Sequence, residues 1–194
     1  MKEVKKDIAR VALPWIGGAT LALVVACSSP AGGQPQAQQP TPSPAATSTG
    51  TTTTYKDISV EIEGQLFKLV NGASETAAAP GSASKIVTTY FGNEATGDVN
   101  GDGSPDTAFL ITQSRGGSGT FYYVVVALRA SGGYSGTNAV LLGDRIAPQM
   151  TQISGSDIIV SYADRKPGEP MTASPSVGVS MYLRVTGGRL VVVR

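Results

Sequence analysis

The 194-residue sequence contains no histidine and only one cysteine. Without histidine, the chain lacks the side chain that most often acts as a general base near neutral pH. A single thiol excludes an internal disulfide, and the two absences together exclude a zinc site built from His and Cys ligands. The most familiar nucleophilic and zinc-dependent reactions are therefore not expected of this protein.

Charged residues of both signs are also scarce. Lys and Arg number 15 and Asp and Glu number 14, so the formal net charge is only +1. Proteins that bind nucleic acid need an excess of basic side chains to neutralise phosphates, and a nucleic-acid partner is therefore not expected. Glycine (24 residues) and proline (12 residues) are plentiful, which favours short strands and turns over long helices.

Residues 1–26 have the layout of a secretory signal peptide. A basic segment over residues 1–10 precedes an apolar stretch over residues 11–26 that ends in small side chains. This stretch is shorter than the roughly 20 residues that a membrane-spanning helix needs, and Pro14 weakens it further as a helix. We therefore expect residues 1–26 to be removed.

The segment Val24-Val25-Ala26-Cys27 resembles the lipobox of bacterial lipoproteins. The resemblance implies that Cys27 receives a diacylglycerol and becomes the new N-terminus, with two or three acyl chains for stable attachment to a membrane. Ser28 after the cysteine resembles, in a Gram-negative cell, the pattern of lipoproteins sent to the outer membrane. We therefore expect an extracytoplasmic, lipid-anchored protein; the alternative is an ordinary secreted protein in which Cys27 is incidental.

Residues 28–54 consist only of Ser, Thr, Pro, Ala, Gly and Gln. Such a segment cannot bury enough apolar surface to offset the entropy lost on ordering. Together with the lipidated cysteine, residues 27–54 are therefore predicted to form a disordered linker that holds the following domain away from the membrane.

Residues 55–194 are long enough for one domain with a true core. Two continuous apolar runs, at 107–112 and 121–128, predict a central hairpin covered on both faces. Alternating apolar and polar residues over 177–186, followed by a Gly-Gly turn, predict a closing hairpin with residues 190–193.

The same patterns predict the fold class, which is mainly β, an antiparallel sandwich or small barrel. Alternation over residues 58–62, followed by Glu63-Gly64, predicts a further strand that turns into residues 66–70. The Ala- and Gly-rich residues 72–84 are compatible with either a loop or a short helical turn.

One loop of the domain has the composition of an ion site. Oxygen-bearing side chains occupy its first, third, fifth and ninth positions, and glycine occupies the sixth. Calcium binds about six to eight oxygen ligands, and a chain that coils around the ion supplies alternate side chains and a carbonyl. Gly103 permits the sharp turn, and Glu94 is the nearest candidate for a missing ligand. The predicted calcium ligands are Asp98, Asn100, Asp102, Ser104 through its carbonyl, and Asp106.

This loop departs from an EF-hand, because Phe109 stands where a bidentate Glu is expected and no helix pattern flanks it. With a strand directly after it, the loop resembles the calcium loops of FG-GAP and VCBS repeats and, more loosely, those of dockerin modules. The resemblance implies that Asp98, Asn100, Asp102 and Asp106 bind the ion. It does not imply a propeller, because the chain has one such loop. The alternative is a turn whose side chains cap backbone amides without an ion.

The order of motifs from Thr88 to the end also resembles small exported bacterial proteins of unassigned function. No nucleophile-and-base arrangement accompanies these motifs, so an enzyme is not expected. We expect a non-catalytic binding or structural module at the cell envelope, with calcium in a structural role and a protein or glycan of unknown identity as ligand. The alternatives are an inhibitor of a wall-degrading enzyme, by analogy with other small anchored β-proteins, and a carboxylate-based hydrolase.

Two weaker signals lie outside the calcium loop. The Gly-rich segment 115–119 has the composition of an anion-binding backbone nest, although a plain hairpin loop is the simpler interpretation. The pairs Asp144-Arg145 and Asp164-Arg165 could orient a ligand carboxylate or sugar hydroxyl, although ordinary surface ion pairing is the simpler interpretation there.

Overall fold

A computed structural model describes residues 54–194, and the predicted signal segment, Cys27 and the linker up to residue 53 lie outside this range. Within it, the chain forms strands joined by turns, and no helix is present that could cross a membrane. The strands are β1 (Ser59–Ile62), β2 (Gln65–Lys68), β3 (Ala73–Ala77), β4 (Lys85–Gly97), β5 (Asp106–Ser114), β6 (Phe121–Ala130), β7 (Gly133–Gly136), β8 (Val140–Asp144), β9 (Ala147–Ser154), β10 (Asp157–Asp164), β11 (Val177–Thr186) and β12 (Arg189–Val192).

The strands form three antiparallel sheets. The largest has six strands in the order β3-β4-β5-β6-β7, with β8 also paired to β6. A second sheet has the order β12-β11-β10-β9, and β1 and β2 form a hairpin of their own. The mainly-β, antiparallel prediction is therefore confirmed, and the region 72–84 contains the short strand β3 rather than a helical turn.

The hairpin of β5 and β6 is the centre of the domain, and it is covered on both faces as predicted. Successive residues of a strand point to opposite faces. Ala108 and Leu110 therefore pack toward the four-stranded sheet, while Phe109 and Ile111 pack toward the β1–β2 hairpin. All four side chains are fully buried. This double coverage explains why the sequence of β5 is a continuous apolar run rather than an alternating one.

The β1–β2 hairpin packs closely against β7. A Cβ atom placed on Gly136 would lie 2.2 Å from the carbonyl oxygen of Ser59, so only glycine allows this approach. Asn138, which follows β7, forms a β-bridge with Glu61 of β1, and its side-chain amide hydrogen-bonds to the backbone N–H and carbonyl of Leu190. The guanidinium of Arg189 also pairs with the carboxylate of Glu61. These contacts join the small hairpin to the edge of the four-stranded sheet.

Candidate functional site

The predicted calcium loop connects β4 to β5 and coils around the carboxylate of Asp98. This carboxylate accepts hydrogen bonds from the backbone N–H groups of Gly101 (2.7 Å), Asp102 (3.2 Å) and Gly103 (2.9 Å). Gly101 and Gly103 have φ values of 79° and 83°, in the left-handed region that favours glycine. The loop therefore turns sharply at both glycines.

Asn100 and Asp102 form a second set of contacts in the same loop. The Asn100 side chain accepts the N–H of Asp102 and donates to its carboxylate, both at 2.9 Å. Asp102 also accepts the backbone N–H of Ser104 at 2.7 Å. These hydrogen bonds, that of Asn100 foremost, lower the pKa of Asp102 below its usual value. Asp102 is therefore ionised at neutral pH.

Asp106 is the acid that lies inside the fold. It is the first residue of β5 and is completely buried. Burial raises its pKa, and the negative charges of Asp102 and Asp98 raise it further, while hydrogen bonds from the backbone N–H groups of Val99 (3.1 Å) and Arg129 (2.8 Å) act against this rise. The Asp106 carboxyl therefore experiences the field of two other carboxylates.

Glu94 makes its hydrogen bonds elsewhere. Its carboxylate, which lies on β4, accepts hydrogen bonds from the hydroxyls of Tyr55 and Tyr90, each at 2.6 Å. These bonds lower the pKa of Glu94. No hydrogen bond within residues 54–194 joins Glu94 to the loop, so a ligand role for this residue stays a prediction.

The hydrogen bonds of the loop are those of a capped turn, and the calcium site stays a prediction. In the part of the chain that the structure describes, no three His, Cys, Asp or Glu side chains are grouped so that they could hold a metal ion. The loop carboxylates instead accept hydrogen bonds from backbone amides, as in an Asx turn. A carboxylate oxygen has two lone pairs, so both oxygens of Asp102 and of Asp106, and one of Asp98, keep a lone pair that could bind a cation.

A cleft of about 690 Å³ lies beside this loop. The loop supplies one side of it and the turn between β6 and β7 supplies the other. Sequence reasoning did not single out Arg129 or Tyr134, because nothing in the local pattern distinguishes an arginine at a strand end from an ordinary solvated one. The lining residues are Asp102, Ser104, Arg129, Ala130, Ser131, Gly132, Gly133 and Tyr134.

The predicted anion nest at residues 115–119 contains an arginine with a carboxylate partner. Arg115 lies 2.9 Å from the Glu63 carboxylate and also donates to Gln113 and Tyr123. The hydroxyl of Tyr123, a fully buried residue, donates to Glu63 at 3.0 Å. Hydrogen bonding to Arg115 lowers the pKa of Glu63, and burial raises the pKa of Tyr123 to about 12. This network borders a second, smaller cleft of about 120 Å³.

The two Asp-Arg pairs make contacts that stabilise neighbouring loops. Asp144 accepts the backbone N–H of Thr120 at 2.8 Å and pairs with Arg145 at 3.0 Å. The guanidinium of Arg165 donates to the backbone carbonyls of Ala173 (2.6 Å) and Arg145 (3.0 Å). These arginines therefore hold loop backbone and a neighbouring carboxylate in place.

Comparison of the chain with models of protein families, with curated proteins and with solved structures found no match. The loop places four of the predicted ligands, Asp98, Asn100, Asp102 and Ser104, in one hydrogen-bonded turn. Asp106 is joined to the same turn through the N–H of Val99.

Proposed function

We propose that this protein is a lipid-anchored module of a bacterial envelope whose β domain binds calcium in the 98–106 loop and holds a ligand without catalysing a reaction. One observation carries the proposal, namely that three carboxylates, those of Asp98, Asp102 and the buried Asp106, belong to a single hydrogen-bonded loop. A bound cation would offset this accumulation of negative charge. The oxygens with free lone pairs are hard ligands, which suit calcium.

The position of Asp106 supports a structural role for the ion. Its two carboxylate oxygens connect the start of the loop, through the N–H of Val99, to the end of β6, through the N–H of Arg129. An ion bound beside Asp106 would therefore fix the junction between the loop and the two central strands. Because such an ion binds the folded state and not the unfolded chain, it would raise the stability of the domain.

The anchor and the location are proposed from the sequence alone. The lipobox-like segment ending at Cys27 would attach the protein to the membrane, and residues 28–54 would separate the domain from the lipid surface. In this arrangement, the domain presents its ligand site outside the cytoplasm.

Calcium titration of the purified full chain in detergent tests the proposal. At a free calcium concentration about 100 times the Kd, binding should add about 2.7 kcal/mol of stability. For a domain of this size, that corresponds to a rise in melting temperature of roughly 8 °C relative to the chelated protein. Asp102→Asn should remove most of the rise. Asp157→Asn, which changes an acid on the other sheet, should leave it in place.

The heat of binding provides a second measurement on the same samples. We expect about one calcium ion per chain and a weaker response to magnesium, which dehydrates reluctantly and demands rigid octahedral geometry. If millimolar calcium produces neither heat nor a shift in melting temperature, the calcium proposal is wrong and the loop is a capped turn without an ion.

A further inference from the structure

Arg129 is a cation held in position without a carboxylate partner. Within residues 54–194, the ion pairs involve Arg115, Arg145, Arg184 and Arg189 among the arginines, and none involves Arg129. Its guanidinium instead donates to the hydroxyl of Tyr134 at 2.8 Å and lies 5.1 Å from the centroid of that ring. A neutral hydroxyl and an aromatic ring orient the guanidinium but do not neutralise its charge. Its remaining N–H donors are available to an anion.

The cleft next to Arg129 has a polar lining. Asp102, Ser104 and Ser131 contribute oxygen atoms, and Gly132 and Gly133 expose backbone, while the single aliphatic side chain is that of Ala130. Such a surface forms hydrogen bonds with a ligand rich in hydroxyl groups. Polar atoms form most of this lining, and residues such as Ala130 and Tyr134 add a smaller apolar part.

The charges of the lining residues restrict the class of ligand further. Arg129 matches the geometry of a carboxylate, which it can bind through two parallel N–H bonds. Asp102 lines the same cleft, and a carboxylate oxygen of Asp102 that does not bind calcium keeps a lone pair that accepts a hydrogen bond from a hydroxyl group. A sugar ring with a carboxylate flanked by hydroxyls fits this pattern, whereas an acidic peptide offers Asp102 and the serines no hydroxyl groups. The volume of about 690 Å³ is within the range of small-molecule sites.

We infer that this cleft binds a carboxylate-bearing sugar, with Arg129 holding the carboxylate and Asp102 and Ser104 accepting or sharing the ring hydroxyls. The inference rests on the proposed role of the protein as a ligand-binding module, and it names the class of ligand. It also explains why Arg129 is held by a tyrosine rather than by an acid.

Titration with trigalacturonate tests the inference, and maltotriose serves as the neutral sugar of the same length. The full chain in detergent, with calcium present, should bind trigalacturonate and show no measurable affinity for maltotriose. Arg129→Gln should weaken trigalacturonate binding at least tenfold, because a charge-assisted pair of hydrogen bonds is lost. Arg184→Gln, which removes an arginine paired with Asp157 outside the cleft, should leave the affinity unchanged.

A measurement on the unaltered protein covers the case in which Arg129→Gln fails to fold. The backbone amide resonances of Gly132 and Gly133 should shift on addition of trigalacturonate and stay in place on addition of maltotriose. Equal binding of the two sugars, equal affinity of a folded Arg129→Gln variant, or tighter binding of a hexaglutamate peptide than of trigalacturonate would each overturn the inference.

The outcome is separable from that of the calcium proposal. If calcium raises the melting temperature and trigalacturonate does not bind, only the sugar inference is wrong. If trigalacturonate binds through Arg129 and calcium changes neither heat nor melting temperature, the sugar site stands and only the calcium proposal is wrong.

Discussion

At the scale of single residues, Glu63 shows how one side chain compensates for an unfavourable backbone. It occupies the turn between β1 and β2 with φ of 50°, a region that Asn or Gly adopts more readily than Glu. Its carboxylate accepts hydrogen bonds from Arg115 and from the buried Tyr123. The contacts with the six-stranded sheet therefore offset the local cost and fasten the tip of the hairpin.

The pH dependence of Glu63→Gln tests this role. Because the Arg115 hydrogen bond lowers the pKa of Glu63 in the folded state, the contribution of Glu63 is fully present above the unfolded-state pKa of about 4.5 and is lost as the pH falls through the lower, folded-state pKa. Arg115 and Glu63 are both partly exposed, so the substitution should cost only about 0.5–1 kcal/mol at pH 7.

Denaturant unfolding at pH 7 and at about pH 3 measures this difference. The difference in the free energy of unfolding between the original protein and Glu63→Gln should be smaller at the lower pH. Glu75→Gln provides the control, since Glu75 and its ion-pair partner Lys85 are both exposed on the surface. A difference that is the same at both pH values would show that the charge of Glu63 contributes nothing to stability.

At the scale of strands, the packing of β1 against β7 depends on the absence of a side chain at Gly136. A Cβ atom on residue 136 would lie only 2.2 Å from the carbonyl oxygen of Ser59, and backbone cannot move aside as a flexible side chain can. The β1–β2 hairpin buries Val60, Ile62 and Phe67 against the central sheet. A displacement of β1 would therefore expose part of that core cluster.

Gly136→Ala should accordingly destabilise the domain by about 1–3 kcal/mol, the usual cost of forcing extra atoms into a packed contact. Gly132→Ala is the matched control, because a Cβ atom there has no neighbour within 4 Å. Thermal unfolding of the two variants gives the comparison. Equal melting temperatures would show that the strands can separate at no cost.

At the scale of the whole molecule, the described part of the chain begins where it packs onto an aromatic cluster. The ring of Tyr55 lies 5.7 Å from that of Phe109, 6.4 Å from that of Tyr90 and 6.3 Å from that of Tyr134. Tyr134 is also the residue that orients Arg129 in the cleft. The proposed ligand site and the point where the linker sequence ends are therefore connected through one set of packed rings.

Cell fractionation tests the proposed anchor. Cys27→Ala should move the protein from the membrane fraction to the soluble extracytoplasmic fraction or leave it unprocessed, because the acyl chains provide the attachment. Ser29→Ala should leave the protein with the membranes. A Cys27→Ala variant that is processed normally and still sediments with membranes would show that something other than lipid at this cysteine holds the protein there.

Local pattern was sufficient for the central and closing hairpins. The apolar run at 107–112 and the alternation over 177–186 each indicate directly how the strand is buried. A strand buried on both faces has apolar side chains throughout, and a strand buried on one face has alternating apolar and polar side chains. The same sequence did not reveal β4 as a strand. Its pairing with β5 shifts register around Gly92, and Asn93 has φ of 55°, so the period of two is interrupted.

The sequence by itself determined the strands of the core and the composition of the acidic loop, since both depend on residues that are neighbours along the chain. The tertiary structure alone decided that Glu94 bonds to two tyrosines, that Glu63 pairs with Arg115, and that Arg129 stands beside Tyr134 at the edge of a cleft. Tyr90 shares β4 with Glu94, whereas Tyr55 and the Glu63–Arg115 pair come from segments that only the folded sheets bring together. Arg129 and Tyr134 face each other on the neighbouring strands of the β6–β7 hairpin. Even for that pair, the cleft exists only because the loop packs beside the hairpin turn.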